Sequence, residues 1–235
     1  MPLGASRLNF LSKTLVAAGP ARDENTVTAI GDAQVDTADY QFGGASALFD
    51  GSGDSLYVDT VPGDEFQFGT SDFTVECWVK VDSLAAYREI CSGKAQSASV
   101  QFQINTNGSI GAYRTNSGAG QAISASGVIS TGTWYHVALV RNGNTKYVYV
   151  DGTEEASVDV TGIDEKFWDF IYIGSLYGAG GYMDGHIDEF RISDIARYTG
   201  SFTPSTSAFS NDANTLLLIH CDGADGSTTF TDDVY

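Results

Sequence analysis

TWYHVALVRNGNTKYVYVDG, residues 133–152, predicts two β-strands joined by a tight turn. Both apolar runs are rich in the β-branched and aromatic residues that suit a pleated, packed surface. Between them lies Asn142-Gly143, a dipeptide that accepts positive φ at low cost and is therefore a strong hairpin signal. Asp151-Gly152 ends the second strand in another turn. Because an isolated hairpin is marginal in water, the stretch has to belong to a larger sheet.

The segment Phe73–Val81 predicts a further strand, because an apolar residue recurs at every second position along it. Period-two alternation places one set on each face of a sheet: Phe73, Val75, Cys77 and Val79 against Thr74, Glu76, Trp78 and Lys80. Similar short runs recur along the chain, and 27 of its 235 residues are glycine. These features favour an all-β antiparallel sandwich over residues 31–235, with residues 1–30 as an N-terminal arm and residues 115–127 as a loop.

The charge balance limits the choice of partner. Twelve basic residues stand against 30 acidic ones, which gives a formal net charge of −18. Such a chain repels nucleic acid and anionic membranes, because phosphate binding needs clustered Lys and Arg. No apolar run is long enough for membrane insertion. The three cysteines form no Cys-x-x-Cys pair, so neither a zinc site nor a disulfide framework is expected.

Six sequence blocks occur in an order that is typical of one family. They are ALFDGSGD (47–54), DFTVECWVK (72–80), WYHVALVR (134–141), YVDG (149–152), IG (173–174) and GHIDEFRIS (185–193). Together they resemble the laminin-G-like, concanavalin A-like jelly-roll family over about residues 40–200. The resemblance implies two curved antiparallel sheets, and members often bind glycans, proteins or calcium. The run IDEFRIS (187–193), followed by ARY (196–198) and FTP (202–204), is similar to domains in structural proteins of tailed phages, especially marine ones.

The segment DANTLLLIHCDG (212–223) resembles the opening strand of such domains, yet it lies near the C-terminal end. The two chain ends lie side by side in this fold. The segment could therefore close its own domain, as in a circular permutation, or add a strand to a neighbouring copy. Closure within the chain is the expectation that we favour.

Carboxylate spacing tests for catalysis, since glycoside hydrolases occur in this fold. Retaining hydrolases need two carboxylates about 5–5.5 Å apart, and related enzymes place them two residues apart on one strand. No Glu of this chain is followed two residues later by Asp: Trp78 follows Glu76, and Arg191 follows Glu189. Neither a Gly-x-Ser-x-Gly elbow nor a Gly-Lys-Ser/Thr phosphate loop occurs. We therefore expect no enzymatic activity.

Aromatic residues supply candidate glycan-binding groups. Trp78 shares a strand face with Glu76, and His136 shares one with Trp134, so these side chains could form a cluster that stacks on a sugar ring. The structural alternative is a half-buried cluster in which His136 bonds to Glu76. Aromatic residues near glycines could form a second site at the rim. The candidates are Trp78, His136, Trp168, Tyr177 and Tyr182.

Asp188 is the main metal candidate. The family resemblance implies that an Asp of this strand helps to hold a structural calcium ion, together with carbonyls from the other end of the chain. Acidic, glycine-rich turns supply the oxygen atoms that calcium prefers, so Asp222 in Cys-Asp-Gly and Asp50 in Phe-Asp-Gly are possible further ligands. The competing explanation is that these carboxylates cap turns or face solvent.

The predicted function is that of a non-enzymatic structural protein of a phage virion, assembled in the host cytoplasm. It would decorate the capsid or belong to a tail appendage or fibre. Its expected partners are other virion proteins, copies of itself and host surface polysaccharide. The alternative is a free carbohydrate-binding module that recognises host surface glycans. The phage-like motifs and the missing catalytic pair motivate the virion hypothesis.

Overall fold

The computed structural model describes residues 25–60, 65–94, 99–115, 117–167 and 169–234, which form fifteen strands and no helix. In chain order the strands are β1 (Thr26–Ile30), β2 (Gln34–Asp36), β3 (Ser46–Asp50), β4 (Ser55–Asp59), β5 (Phe73–Val81), β6 (Arg88–Ser92), β7 (Val100–Ile104), β8 (Ile110–Arg114), β9 (Ser117–Ile123), β10 (Trp134–Asn142), β11 (Thr145–Val150), β12 (Thr153–Asp159), β13 (Phe170–Ile173), β14 (Asp184–Ser193) and β15 (Thr215–Ile219). No helix that could cross a membrane is found in this part of the chain.

Two antiparallel sheets form the sandwich that the sequence predicted. Sheet A has seven strands in the order β1-β4-β13-β6-β7-β8-β9. Sheet B has the order β12-β11-β10-β5-β14-β3-β2, and β15 pairs with β14 beside this path. One apolar core lies between the sheets, formed by inward side chains such as Val75 and Val137 of sheet B and Phe102 and Ile171 of sheet A. The outward face of sheet B is left to form the site described below.

The hairpin β10–β11 confirms the prediction from residues 133–152. Its register leaves Gly143-Asn144 as a two-residue loop, and Gly143 has a φ of 59°. The next turn, Asp151-Gly152, has φ values of 48° and 77°, as a type I′ turn requires. Strand β10 also pairs with β5, which sets His136 opposite Trp78 on the outward face.

The C-terminal strand β15 pairs within its own chain. It lies on the same side of β14 as β3 does: β3 pairs with residues 184–187 and β15 with residues 190–193. A bulge between Asp188 and Arg191 separates the two pairings, and Glu189 within it has a φ of 54°. The C-terminal strand therefore completes a sheet of its own chain, which is the closure that we favoured.

Two sequence-based boundaries need correction. Residues 26–30, which we assigned to the N-terminal arm, form the edge strand β1, because alternation directs Val27 and Ala29 towards the core. The rest of the predicted arm, residues 1–24, lies outside the described residues. Residues 117–123, which we assigned to a loop, form the opposite edge strand β9. Small residues and a φ of 71° at Gly120 hide its alternation.

Candidate functional site

A buried carboxylate, Glu76, organises the outward face of sheet B. Glu76 has no exposed surface, and its Oε1 accepts hydrogen bonds from Nε and Nη2 of Arg191 at 2.9 and 2.7 Å. Its Oε2 accepts one from the hydroxyl of Tyr198 at 2.7 Å and lies 3.2 Å from Nε2 of His136. Burial raises the pKa of Glu76, but the hydrogen bonds of His136 and Tyr198 and the charge of Arg191 outweigh burial and hold the pKa below its usual value. Glu76 is therefore a fully bonded anion that joins β5, β10 and β14 to the segment that follows them.

That segment, residues 194–209, lies across the sheet and is here called the cover. The rings of Tyr198 and Phe202 stack with centroids 3.5 Å apart, and both contact the ring of His136 edge-on. The N–H of Phe202 donates to the carbonyl oxygen of Gly152 at 2.9 Å. A Cβ atom at Gly152 would overlap the carbonyl oxygen of Phe202. The hairpin turn thus fixes the cover in place and requires glycine there.

Beside the cover lies an open cleft of about 490 Å³, within the size range of small-molecule sites. It is lined by Gln41, Phe42, Trp78, Trp134, Asp151, Thr203, Pro204, Ser205 and Thr206. Phe42 meets Trp78 edge-on, with ring centroids 5.6 Å apart. Trp78 is 9% exposed, and its Nε1 has no hydrogen-bond partner among the described residues. The cleft therefore combines the aromatic surface of Phe42, Trp78 and Trp134 with the polar side chains of Gln41, Asp151 and residues 203–206.

The two walls of the cleft are attached to neighbouring residues of the β14 bulge. Oδ2 of Asp188 accepts hydrogen bonds from the N–H groups of Gln41 and Phe42, both at 2.9 Å. Oε2 of Glu189 accepts one from the N–H of Phe209, at the end of the cover, at 2.5 Å. In each of these bonds a backbone N–H donates to a side-chain carboxyl oxygen. Two consecutive side chains therefore bond to the segments that carry the two walls.

Further hydrogen bonds hold the polar groups of the cleft. Nε1 of Trp134 donates to Oδ1 of Asp39 at 2.9 Å, and Asp39 also forms an ion pair with Lys80. Burial raises the pKa of Asp39, but the hydrogen bonds from Lys80 and Trp134 outweigh this effect. The pKa of Asp39 therefore lies below its usual value. Oδ1 of Asp151 accepts the N–H of His136 at 2.9 Å, and Asp151 is exposed. The indole plane and the exposed carboxylate are thus oriented before any ligand arrives.

The structure separates the residues that we predicted to bind a glycan. Trp78 lies in the cleft. His136 lies behind it, with ring centroids 5.5 Å apart, but it has no exposed surface and cannot touch a ligand. The bonded pair of His136 and Glu76 is the structural alternative that we described. Trp168 lies outside the described residues.

Tyr177 and Tyr182 lie far from the cleft, in the loop between β13 and β14 against sheet A. The hydroxyl of Tyr177 is hydrogen-bonded to Gln101 and Thr115. That of Tyr182 donates to the carbonyl oxygen of Gly178 at 3.1 Å. Both phenols therefore have structural partners, and the predicted candidates do not form one site.

Sequence reasoning missed two groups of residues. One is the cleft wall at residues 203–206 together with Gln41, Phe42 and Asp151, which come together only through the fold. The other is a half-buried aromatic patch on sheet A, where three rings lie 5.3–5.5 Å from one another. Its members are Tyr57, Phe170 and Tyr172. In β4 and β13 these aromatic residues alternate with buried apolar residues, and this pattern could have indicated an outward aromatic patch.

The three predicted metal ligands do not meet. Asp188 and Asp222 both approach residues 41–43, since the Asp222 carboxylate lies where a Cβ atom of Gly43 would be. Asp50 lies opposite Asp184, four residues from Asp188 along the strand, or about 13 Å away. Within the described ranges, no group of three or more His, Cys, Asp or Glu side chains could hold a metal ion.

Asp50 and Asp188 lie in different surroundings. Asp50 caps a turn by accepting the N–H of Ser52 at 2.7 Å. Asp188 is buried, and burial raises its pKa to about 7. Its Oδ1 has no partner in the described part of the chain. The side chains do not fit a three-carboxylate calcium site, and calcium binding stays a prediction.

A laminin-G-type family model, described as the concanavalin A-like lectin/glucanases superfamily, matches residues 49–199, more than half of the chain. The chain belongs to this superfamily. Membership confirms the laminin-G-like and concanavalin A-like assignment that the six sequence blocks predicted. No curated protein matches the chain significantly.

Solved structures with this fold include several binding domains. The binding domain of botulinum neurotoxin serotype D has a TM-score of 0.59 at 17% identity, covering 74% of this chain and 44% of that one. A Bacteroides ovatus protein proposed to bind carbohydrate has a TM-score of 0.54 at 17% identity, covering 86% and 53%. Domain 4 of AbnA, a GH43 extracellular arabinanase from Geobacillus stearothermophilus, was solved with arabinotriose; it has a TM-score of 0.54 at 18% identity, covering 73% and 82%. This chain spans about half the length of the first two. At these identities the likeness shows the fold alone.

Proposed function

We propose that the protein binds a carbohydrate in the cleft beside the cover. The observation that carries this proposal is the open cleft in which Trp78 and Trp134 lie beside the polar side chains of Gln41, Asp151 and residues 203–206. Sugar rings present C–H faces that pack on aromatic rings, and hydroxyl groups that exchange hydrogen bonds with a few convergent polar groups. A largely apolar cleft with a few placed polar side chains suits such a ligand.

The cleft is also preorganised for binding. Its walls are held by Asp188 and Glu189, and Trp134 is oriented by Asp39. Because these groups are already ordered, binding loses less conformational entropy than it would in a mobile site. Hydrolysis is not part of the proposal, since Glu76 is buried and all of its bonds go to protein groups.

The comparisons support this proposal at the level of the fold. The arabinanase domain was solved with arabinotriose, and the Bacteroides ovatus protein is proposed to bind carbohydrate. These structures favour the carbohydrate-binding alternative over the virion role. The virion location, with capsid or tail partners and copies of the chain itself, remains a prediction that mass spectrometry of purified particles would test.

Isothermal titration calorimetry with arabinotriose, followed by a glycan array, tests the proposal. Trp134→Ala and Gln41→Ala should each weaken binding, the tryptophan change by about tenfold or more, as expected for a central aromatic contact. Tyr172→Ala, on the opposite sheet, is the matched control and should leave affinity unchanged. Melting curves of all variants exclude unfolding as the cause. Binding that survives both cleft changes but is lost in Tyr172→Ala would move the site to sheet A.

A further inference from the structure

Resting on the proposed function, we infer that the cleft selects neutral saccharides and rejects those that carry a carboxylate or sulfate group. The argument comes from the charges around the cleft. A site for an acidic sugar needs a free cation, whereas every cation that the described residues place near this cleft is already paired with a carboxylate.

Among the described residues, three basic side chains lie on the outward face of sheet B or in the cover: Lys80, Arg191 and Arg197. Lys80 forms an ion pair with Asp39. Arg191 directs two N–H groups at Glu76, and its guanidinium lies 4.1 Å from the ring centroid of Phe209. A guanidinium held in this way has little left to offer an incoming anion.

Arg197 is held even more completely. Its Nη1 and Nη2 bond to the two carboxylate oxygens of Asp212, each at 2.9 Å, and its Nε donates to Oγ of Ser193 at 2.6 Å. Fork-to-fork pairing of this kind is the strongest arrangement that Arg makes with a carboxylate. An acidic sugar would have to displace Asp212 to reach it.

The rest of the described chain offers no replacement. Outside the outward face of sheet B and the cover, Arg88, Lys94, Arg141 and Lys146 are ion-paired with carboxylates. Arg114 in β8 donates to the carbonyl oxygen of Asp164, and the backbone of Lys166 forms a bridge with Ser99 beside sheet A. Neither approaches the cleft on sheet B.

A histidine beside Trp134, His186, also lacks a positive charge at neutral pH. The ring of His186 lies 6.1 Å from that of Trp134, and Nδ1 of His186 contacts Ser46 at 3.1 Å. Burial and the charge of Lys80 lower the pKa of His186. The carboxylates of Asp39, Asp82 and Asp36 raise it by less, so the pKa lies below its usual value. His186 is therefore neutral at pH 7.

The exposed charge that does line the cleft is negative. Asp151 has one oxygen bonded to the N–H of His136, and its carboxylate can accept hydrogen bonds from sugar hydroxyls. The other polar groups of the lining, Gln41, Thr203, Ser205 and Thr206, carry no charge. A neutral sugar thus finds donors and acceptors, whereas an anion meets a like charge.

The test uses matched probes: lactose against sialyllactose, and arabinotriose, on a glycan array and then by calorimetry at low and physiological salt. We expect neutral members to bind at least about tenfold more tightly than their acidic counterparts, which corresponds to about 1.4 kcal/mol. The preference should shrink at higher salt, because screening weakens repulsion. Equal or tighter binding of the acidic member overturns the charge inference and leaves the proposed function standing. Absence of binding to any saccharide overturns both.

Asp151→Asn isolates the charge that we hold responsible. Asn tolerates the positive φ at this turn, and its Oδ1 still accepts the N–H of His136. We expect the neutral-to-acidic preference to fall several-fold in this variant. Asp59→Asn removes the same formal charge from an exposed position on sheet A and should leave the preference unchanged. Equal changes in both variants would assign the selectivity to net charge and refute the role of Asp151.

Discussion

Replacing Glu76 by Gln tests whether this carboxylate is the structural anchor of sheet B. The substitution keeps the shape of the side chain but removes its charge. Arg191, which is 7% exposed, then loses its anionic partner while remaining buried under the cover. The NH₂ group of the new amide would also face the hydroxyl of Tyr198 and Nε2 of His136, which in the natural protein bond to the acceptor Oε2 of Glu76.

Removing one partner of a buried ion pair costs about 3–5 kcal/mol. For a chain of this size each kcal/mol lowers the melting temperature by about 2–4 °C, so Glu76→Gln should melt about 6–20 °C below the natural protein. The loss also depends on pH. The folded pKa of Glu76 lies below its usual 4.5, so the stabilisation is present above that value and is lost as pH falls through the folded pKa. The Gln variant should lack this part of the acid dependence.

Urea unfolding followed by tryptophan fluorescence measures the free energy, since Trp78 adjoins the network. Arg191→Met and the double variant complete a thermodynamic cycle, in which the double variant should be less destabilised than the sum of the single changes. Glu154→Gln, at an exposed position, is the control and should change stability by less than about 0.5 kcal/mol. An equally small change in Glu76→Gln would refute the anchor, and loss of a hydrolytic activity at full stability would make Glu76 catalytic instead.

Three further changes probe the same region. Gly152→Ala should lower the melting temperature and weaken saccharide binding together, because the new Cβ would overlap the carbonyl oxygen of Phe202 at a φ of 77°; a fully stable variant would contradict this fit. Asp188→Asn should gain about 2–3 kcal/mol of unfolding free energy relative to the natural protein when pH rises from 5 to 8. A folded pKa of about 7 against a usual 3.8 means that folding takes up a proton in this window, so stability falls as pH rises; parallel urea curves at both pH values would show no such effect. If calcium binds at Asp188, as the sequence suggested, added calcium should raise the melting temperature of the natural protein but not of Asp188→Asn, and a chelator should reverse the shift; identical melting with calcium and with chelator would remove the calcium hypothesis.

The sandwich could be predicted because its evidence is local. Alternation in Phe73–Val81 fixes two faces, and Asn142-Gly143 and Asp151-Gly152 mark turns whose backbone few other residues adopt. Strand β9 was missed because this local evidence is weak there. In β9 small residues give no contrast between faces, and the turn-like composition concealed a strand.

The cleft could not be predicted, because it depends on which segment lies over sheet B. Alternation places Glu76, Trp78 and His136 on the outward face, where the sequence left open a sugar-stacking cluster and a half-buried structural cluster. One signal was nevertheless present. The run from Val137 to Val140 is apolar without alternation, which is typical of a strand that is buried on both sides. Such a run requires a covering segment, but it does not say that Tyr198 and Phe202 provide one.

The β14 bulge explains why fold and cleft are inseparable in this protein. In a regular strand Asp188 and Glu189 would point to opposite sides of the sheet. The φ of 54° at Glu189 breaks the alternation, so consecutive carboxylates reach two loops that are distant in sequence: residues 41–42 through Asp188, and Phe209 through Glu189. The same bulge ends the pairing with β3 and begins that with β15. A change that regularised β14 would therefore release both walls of the cleft and the C-terminal strand together, whereas a change in the cover alone would release one wall.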